Sequence, residues 1–407
     1  MSGRLGHLLV VTLLVVAGSV SARVDNAIPG VLALPGASLV VEERGRVVIA
    51  HQGDRPMVPA STLKLVTALA AIDRWGLDHR STTGFFVDDD GWLWVQGSGD
   101  PFLVSEELDV MVEALRARGI RDLAGIATDT SRFAPGVEIA GRSASDNPYD
   151  APVSALAVNF NTLNVTVSAG GRVASAESQT PLTPLALSLS KGLAPGRHRI
   201  NLGEEQLAPR YFAEVLAAKL RLAGVAMGGG WRTGRVPEGL EPVYLHLNSR
   251  DLRDVLSAML EYSNNFIANQ LFMLLGDDGS VAPLTMAHAR QRVREWAEGT
   301  FGWTDFRIDE GAGLSRNNRL SARQLVTVVK AFAPYRDLLP AEGSDIRAKT
   351  GTLSGVSCYA GFVRRDGDWV PFGLMINQPA SGDLRLRVAR DLVRSGDLAG
   401  YCSSASC

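Results

Sequence analysis

Near each end of the chain, two apolar runs separated by polar turn residues predict a β-hairpin. The first joins the apolar runs 38–41 and 46–50 across the polar stretch Glu42-Glu43-Arg44-Gly45. The second joins 356–363 and 369–376 across a segment that contains an Asp-Gly turn. A hairpin needs further strands or helices to bury its apolar face. We therefore expect both terminal hairpins to share one antiparallel sheet with helices packed on it.

Between Pro59 and Gly76 the apolar residues cover almost every face of a predicted helix, a pattern typical of a buried helix. Its interior has one charge, at Lys64. Later apolar runs predict further helices over 252–260, begun by Ser249, and over 267–275.

The middle of the chain mixes short strands and turns with two helical patterns, over 106–118 and 211–223. We expect it to fold as an insertion in a separate unit. The predicted organisation is an N-terminal segment over 23–75, the insertion over 76–245 and a C-terminal segment over 246–407.

Residues 1–22 resemble a secretory signal, with Arg4 before an apolar stretch and Val20-Ser21-Ala22 as a cleavage site. Export to the periplasm follows from this, with an uncleaved membrane anchor as the alternative to a cleaved signal and with peripheral membrane association left open. An oxidising compartment favours disulfides, but three cysteines leave the pairing undecided. Cys402 with Cys407 would leave Cys358 free.

The composition is globular, with 46% hydrophobic residues, and the net charge of −2 argues against a nucleic-acid partner. The histidines show no metal-ligand spacing, so we expect neither metal nor cofactor.

Ser61 lies three residues before Lys64, so hydroxyl and amine share one helical face. Burial favours a neutral amine, and a neutral amine beside a hydroxyl is a general base beside a nucleophile. The structural alternative is a lysine whose amine reaches solvent past an apolar stem. Ser188 and Lys191 have the same spacing, but Gly192 and Pro195 follow at once and prevent a buried helix.

Two further triplets complete a candidate site. Ser263-x-Asn265 lies between two apolar helices, although Tyr262-x-Asn264 overlaps it and Ser145-Asp146-Asn147 has a similar pattern. Lys349-Thr350-Gly351, followed by Thr352, precedes a predicted strand. There the lysine offers a charge for a substrate carboxylate, and the strand's free N–H groups can pair with a peptide.

In this order, the S-x-x-K, S-x-N and K-T-G triplets resemble those of penicillin-binding protein 4 type D-alanyl-D-alanine carboxypeptidases/endopeptidases, the low-molecular-mass class C penicillin-binding proteins. The resemblance extends over the whole chain after the signal and settles Ser263 and Asn265 over the competing triplets. Further shared motifs are Gly99-Asp100-Pro101, Asp129-Thr130-Ser131-Arg132-Phe133, Tyr149-Asp150-Ala151-Pro152 and Gly313-Leu314-Ser315-Arg316.

The resemblance implies an α/β transpeptidase/β-lactamase-like domain, an antiparallel sheet with flanking helices, that carries a large mixed α/β insertion. It implies that Ser61 attacks peptidoglycan stem peptides with Lys64 as base, and that β-lactams acylate Ser61. Ser263 and Lys349 would relay the proton, Asn265 would orient the acyl peptide, and the N–H groups of Ser61 and Thr352 would form the oxyanion hole. Thr350, Gly351, Thr352, Ser354, Arg316 and Asp129 would bind substrate, the last three through a diaminopimelate side chain.

Besides an insertion shorter than in the larger family members, two local departures accompany the resemblance. Residues 308–313 stand where the family usually has D-G-S-G, and Asn269 stands where an acidic residue is common. Two other functions stay open: a serine β-lactamase, and a non-catalytic peptidoglycan-binding protein of the same fold.

Overall fold

The computed structural model describes residues 26–280, 282–398 and 401. The predicted signal at 1–22 lies outside them, as do Cys402 and Cys407. The strands are β1 (Ala37–Glu43), β2 (Arg46–His51), β3 (Arg80–Val87), β4 (Trp92–Gln96), β5 (Asp122–Leu123), β6 (Gly125–Asp129), β7 (Thr162–Val167), β8 (Val173–Ser175), β9 (Gly196–Asn201), β10 (Ala226–Met227), β11 (Trp231–Thr233), β12 (Tyr244–Asp251), β13 (Ala341–Glu342), β14 (Ile346–Leu353), β15 (Val356–Arg365) and β16 (Asp368–Ile376).

The α-helices are interspersed with these strands along the chain. They are α1 (Ala27–Leu32), α2 (Lys64–Trp75), α3 (Ser105–Ala117), α4 (Pro184–Leu189), α5 (Leu207–Leu222), α6 (Leu252–Glu261), α7 (Asn265–Leu275), α8 (Met286–Phe301), α9 (Ala322–Ala331) and α10 (Leu384–Arg394). Within the described residues, no helix combines the length and the apolar character that crossing a membrane would require.

The two terminal hairpins form one antiparallel sheet in the order β13-β14-β15-β16-β1-β2. The hairpins meet where β1 pairs with β16, with Ala37 opposite Ile376. The expectation of a shared sheet is therefore confirmed, although the paired strands β1 and β16 lie more than 300 residues apart in sequence.

Alternation along the strands gives this sheet two buried faces. On β1, Leu39 and Val41 join a core with α1 and α10, whereas Val40 between them joins a core with α2, α6, α7 and α9. The sheet is thus a middle layer between two helical layers, and α2 lies inside the larger one.

The predicted buried helix begins later than its apolar pattern suggests. Residues Ala60–Leu63 form a 3-10 turn, and the α-helix begins at Lys64. Gly76 ends α2 with a φ of +74°, a conformation that glycine adopts without strain.

The middle of the chain has its own sheet, in the order β11-β6-β4-β3-β12, and its own core, built mainly from that sheet, α3 and α5. The smaller sheet β8-β7-β9 packs beside them. The predicted C-terminal limit of the insertion, residue 245, lies inside β12, whose pairing with β3 continues to Asp251. The insertion sheet therefore leads directly into α6.

Cys358 on β15 is buried and forms no disulfide among the described residues. Its thiol lies 3.5 Å from the carbonyl of Val58, and burial raises its pKa to about 12.

Candidate active site

Two glycines hold the turn that carries Ser61. Gly313 lies so close that a Cβ there would be 1.9 Å from the carbonyl oxygen of Ala60. Gly351 approaches from the sheet, and a Cβ there would lie 3.0 Å from the Ser61 nitrogen. Ala60 itself has a φ of +47°, which is strained for a residue with a side chain. Ser61 is therefore fixed by contacts on both sides rather than by regular helix geometry.

Lys64, at the start of α2, is fully buried, and its amine has three neighbours. The Nζ atom lies 3.0 Å from Ser61 Oγ, 2.8 Å from Asn265 Oδ1 and 2.8 Å from the Ala312 carbonyl. The amide of Asn265 donates to the Tyr149 carbonyl at 3.1 Å, which orients its oxygen towards Lys64.

These neighbours determine where a neutral amine directs its lone pair. A neutral amine has two N–H bonds, and two of the three contacts, Asn265 Oδ1 and the Ala312 carbonyl, can only accept. The third contact is a hydroxyl, which can donate. With both N–H groups engaged, the lone pair faces Ser61 Oγ, as a general base requires.

The surroundings also favour the neutral form. Burial lowers the pKa of Lys64 well below its usual value, and the nearby ammonium of Lys349 lowers it further, while the charge of Glu310 raises it. The structure therefore excludes the alternative of a lysine whose amine reaches solvent.

The loop that departs from D-G-S-G is built around Glu310, a fully buried carboxylate. It accepts hydrogen bonds from the N–H groups of Ala312 and Gly313 at 2.8 Å each and from the Asn318 amide at 2.9 Å. These bonds place the Ala312 carbonyl against Lys64. Asn269, the second departure, accepts from the Gly311 N–H at 2.8 Å, so it supports the same loop.

The S-x-N segment forms the junction of α6 and α7. Ser263 has a φ of +52°, and Asn265 begins α7 with its side chain on Lys64. The overlapping alternative is not at the site, because Tyr262 is 80% exposed and the Asn264 side chain caps α7. The rival Ser145 instead donates to Asp150 at 2.5 Å.

The K-T-G segment lies on β14, beside the Ser61 turn. A two-residue turn joins β14 to β15, with Leu353 opposite Val356. In such a hairpin the flanking pair is hydrogen-bonded and alternate positions direct their N–H groups outwards. Thr350 and Thr352 are therefore outward positions. Ala348 has the same parity, and its N–H indeed donates to Pro340 across the outer edge.

Lys349 is almost fully buried beside these groups, and its amine donates to the Thr350 carbonyl at 2.9 Å. Burial lowers its pKa to about 8, and the guanidinium of Arg385 acts in the same direction, whereas the charge of Glu261 opposes it.

The structure brings together two of the three residues predicted to read the substrate side chain. Arg316 donates to the carbonyl of Ser354 at 2.5 Å, and both residues are exposed beyond the end of β14. Asp129 is buried at the end of β6, where its carboxylate accepts from the N–H groups of Ser131 and Val236. It shows no contact with the other predicted site residues in the described part of the chain. Its contacts support a turn of the insertion.

Sequence reasoning missed Arg385 at the start of α10. Its guanidinium donates to the Thr352 hydroxyl at 2.6 Å and to the Gly351 carbonyl at 3.2 Å. An arginine 33 residues after Thr352 has no motif to identify it, so its role follows only from the packing of α10 on the sheet.

Comparison with known proteins identifies the family and the fold of this chain. A model of the D-Ala-D-Ala carboxypeptidase 3 (S13) family matches residues 21–186 and 204–343, which include the first two triplets and end before the third. A D-alanyl-D-alanine carboxypeptidase from Actinomadura sp. is 27% identical over 93% of this chain and 83% of its own length. The D-alanyl-D-alanine carboxypeptidase DacB from Haemophilus influenzae is 24% identical over 85% of this chain and 86% of its own.

Solved structures share the fold. The crystal structure of penicillin binding protein 4 from Haemophilus influenzae gives a TM-score of 0.75 at 21% identity, covering 91% of this chain and 98% of that one. A predatory endopeptidase from Bdellovibrio bacteriovorus, acylated by penicillin G, gives 0.52 at 16% identity over 89% and 90% of the two chains. The predicted fold class and the resemblance are confirmed. The chain belongs to the D-Ala-D-Ala carboxypeptidase 3 (S13) family, a family of serine peptidases.

Proposed function

We propose that this chain cleaves the amide after a D-alanine in peptidoglycan stem peptides, by an acyl-enzyme on Ser61. The observation that carries the proposal is the set of contacts around Lys64, which leaves its amine lone pair for the Ser61 hydroxyl. Family membership supports the substrate class.

In acylation, Lys64 takes the Ser61 proton while Oγ bonds to the carbonyl carbon of the D-alanine. The outward N–H of Thr352 and the N–H of Ser61 stabilise the oxyanion. In known enzymes the loss of one such donor costs about 3–4 kcal/mol. The C–N bond then breaks, and the leaving amine receives a proton through Ser263 and Lys349. The Ser263 hydroxyl supports this role because it makes no hydrogen bond within the described residues.

In deacylation, water supplies the second nucleophile. Lys64, neutral again after passing on its proton, takes a proton from the water, whose oxygen bonds to the acyl carbon. The Ser61 ester breaks, and Ser61 regains a proton from Lys64. Asn265 holds one N–H of Lys64 throughout, which keeps the lone pair directed at the reacting oxygen.

Labelled penicillin tests the nucleophile. We expect one label per chain on Ser61 and none on a folded Ser61→Ala variant. Stable labelling together with release of D-alanine from a stem peptide supports a peptidase. Rapid loss of the label without peptide hydrolysis supports a β-lactamase, and no label supports a binding protein. Stoichiometric labelling of the alanine variant would contradict the assignment of Ser61.

The exposed pair of Arg316 and Ser354 supports recognition of a diaminopimelate side chain on the acyl side of the cleaved bond. A guanidinium is suited to its carboxylate, and the serine offers further hydrogen bonds. Arg316→Ala should lower kcat/KM for diaminopimelate peptides by roughly 10–100-fold, equal to about 1.4–2.7 kcal/mol. Penicillin lacks that side chain, so an equal loss of penicillin acylation would assign Arg316 a supporting role only.

This function requires that the chain be exported to the periplasm, with the signal removed at residue 22. The positive start, apolar stretch and small-residue site within 1–22 support it. Fusing residues 1–30 to a reporter that is active only after export tests this. Replacing three leucines of the apolar stretch by glutamine should abolish reporter activity.

A further inference from the structure

A cavity of about 520 Å³ lies where the insertion meets the helices that cover the terminal sheet. Its volume is within the range of sites that bind small organic ligands. The turn after β6, residues 153–155, the residues that begin α5, and β11 with the segment after it supply most of its lining. Among the described residues that line it, none belongs to the candidate active site.

Two carboxylates fix the walls of this cavity. Asp129 is buried at the end of β6, and its carboxylate accepts from the N–H groups of Ser131 at 2.9 Å and Val236 at 3.0 Å. It thereby joins the turn after β6 to the segment after β11. Glu205, just before α5, accepts from the N–H groups of residues 136 and 137 at 2.7 and 2.9 Å, and so joins α5 to the same turn. The chain's own contacts therefore define the shape of the cavity, as in a preformed binding site.

Trp231, on the edge strand β11, gives the cavity an aromatic surface that is 40% exposed. The guanidinium of Arg210 lies over its ring, 5.9 Å from the centroid, and is held by Glu214 at 2.9 Å. Arg210 is not among the described residues that line the cavity, so it covers one face of the indole and leaves the other face to the cavity. Pro209 and Pro283 add two rigid apolar surfaces to the lining.

Polar groups without partners accompany this ring. The hydroxyls of Thr130 and Ser131 line the cavity, as do the hydroxyl of Thr233 and the guanidinium of Arg235. Within the described residues, none of these four groups makes a hydrogen bond or an ion pair. A flat apolar face beside hydroxyls and a guanidinium suits a sugar. The C–H groups of a sugar ring can stack on an indole, and its hydroxyl and acetamido oxygens accept from such donors. A purely apolar ligand would leave the donors unpaired.

The proposed substrate carries such a sugar within reach. A stem peptide is attached through its N-terminus to an amino sugar of the glycan strand, four residues from the bond that is cleaved. Four extended residues span about 13–14 Å. Gln270 of α7 donates to the carbonyl of Ser154 in the cavity wall at 2.6 Å, and Asn265 of the same helix contacts Lys64. Five residues of helix correspond to about 7.5 Å, so the peptide is long enough to reach this wall from the catalytic residues.

We propose that this cavity binds an N-acetylated amino sugar of the peptidoglycan glycan strand, with the sugar ring stacked on Trp231 and its oxygens bonded to Arg235 and the free hydroxyls. The inference rests on the proposed function for its substrate and adds a recognition site outside the reaction. Binding there forms and breaks no covalent bond, and it favours stem peptides that are attached to glycan over free ones. Asp129 then serves the substrate through the shape of this cavity.

Calorimetric titration with a peptide-free tetrasaccharide of alternating N-acetylglucosamine and N-acetylmuramic acid measures this binding directly, because the probe has no amide that the reaction cleaves. We expect the wild type to bind it, and Trp231→Ala and Arg235→Gln each to weaken binding about 10-fold. Trp231→Phe keeps a flat ring and should retain most of the affinity. Arg197→Gln, an exposed arginine on β9 outside the cavity lining, is the matched control for Arg235→Gln and should bind as the wild type does.

Catalysis gives a second readout, the ratio of kcat/KM for a stem peptide attached to the disaccharide to that for the same peptide alone. The wild type should prefer the attached peptide, and Trp231→Ala and Arg235→Gln should lower the ratio, mainly through KM. Unchanged penicillin acylation shows that both variants are folded.

Three results would overturn the inference: a wild type that does not bind the tetrasaccharide, binding or a ratio that neither variant changes, and an equal loss on both peptides. Failure of the proposed function has a different signature. The tetrasaccharide would still bind and the two variants would still weaken it, but the wild type would react with neither penicillin nor either peptide.

Discussion

Replacing Glu310 by glutamine should separate two effects of this carboxylate, one on the free energy of unfolding and one on the pKa of Lys64. Glu310 accepts from Ala312 through one oxygen and from Gly313, Ser315 and Asn318 through the other. The glutamine oxygen can replace the Glu310 oxygen that accepts from Gly313, Ser315 and Asn318. Its NH₂ group then faces the Ala312 N–H, so two hydrogen-bond donors oppose each other in a buried site.

The expected cost follows from this one lost contact. A hydrogen bond to a charged group contributes about 1.5–3 kcal/mol, and a buried donor left unpaired adds a penalty of similar size. We expect Glu310→Gln to lower the free energy of unfolding by about 2–4 kcal/mol. Denaturant titration at pH 7 measures it.

The effect on catalysis has a definite sign. The charge of Glu310 raises the pKa of Lys64, so its removal lowers that pKa and leaves more neutral amine at low pH. The acid limb of the kcat/KM profile for penicillin acylation should therefore move to lower pH, even if the maximum rate falls because the Ala312 carbonyl has moved.

Glu298→Gln is the matched control, since Glu298 is an exposed partner of Arg294 on α8. It removes the same charge, yet it should cost less than about 1 kcal/mol and leave the acid limb in place. An acid limb of Glu310→Gln that stays in place or moves to higher pH would refute the electrostatic argument.

Three further variants test the remaining contacts. Lys64→Arg keeps the charge but cannot deprotonate at this pH, so it should abolish penicillin acylation; a melting curve must show that it folds. The pKa of Lys349 falls from 10.5 in the unfolded chain to about 8 in the fold, so the unfolded chain binds more protons between these values. Stability should rise with pH across that range, and Lys349→Met should remove the rise while raising stability at pH 7. Gly313→Ala, at a φ of +85° and against Ala60, should cost at least about 3 kcal/mol and slow acylation of Ser61 in a folded sample.

Local pattern was enough to predict the buried helix, the hairpins and a set of candidate triplets, but the family resemblance was needed to choose Ser263 and Asn265 over the competing triplets. The apolar helix, both hairpins and their common sheet follow from periodicity and turn residues, because burial on one or both faces leaves that signature. The residues at which helices begin were harder to predict. Ser249 was expected to begin α6, but its N–H and hydroxyl both donate to Glu107, and Asp251 caps the helix instead. A capping residue with a better distant partner cannot be recognised from its neighbours in sequence.

For Lys64, the sequence predicts the pairing with Ser61 but not the acceptors that orient its amine. Ser61 and Lys64 are three residues apart, so their pairing was visible, but the two acceptors that direct the lysine lone pair are 201 and 248 residues from it. One of them is the backbone carbonyl of Ala312, which any residue type at that position would provide. It is in place because Glu310 folds the loop and because Gly313 allows that loop to touch the Ser61 turn. The pKa of Lys64 is thus set by the whole fold, whereas its position beside Ser61 is set by one turn of chain.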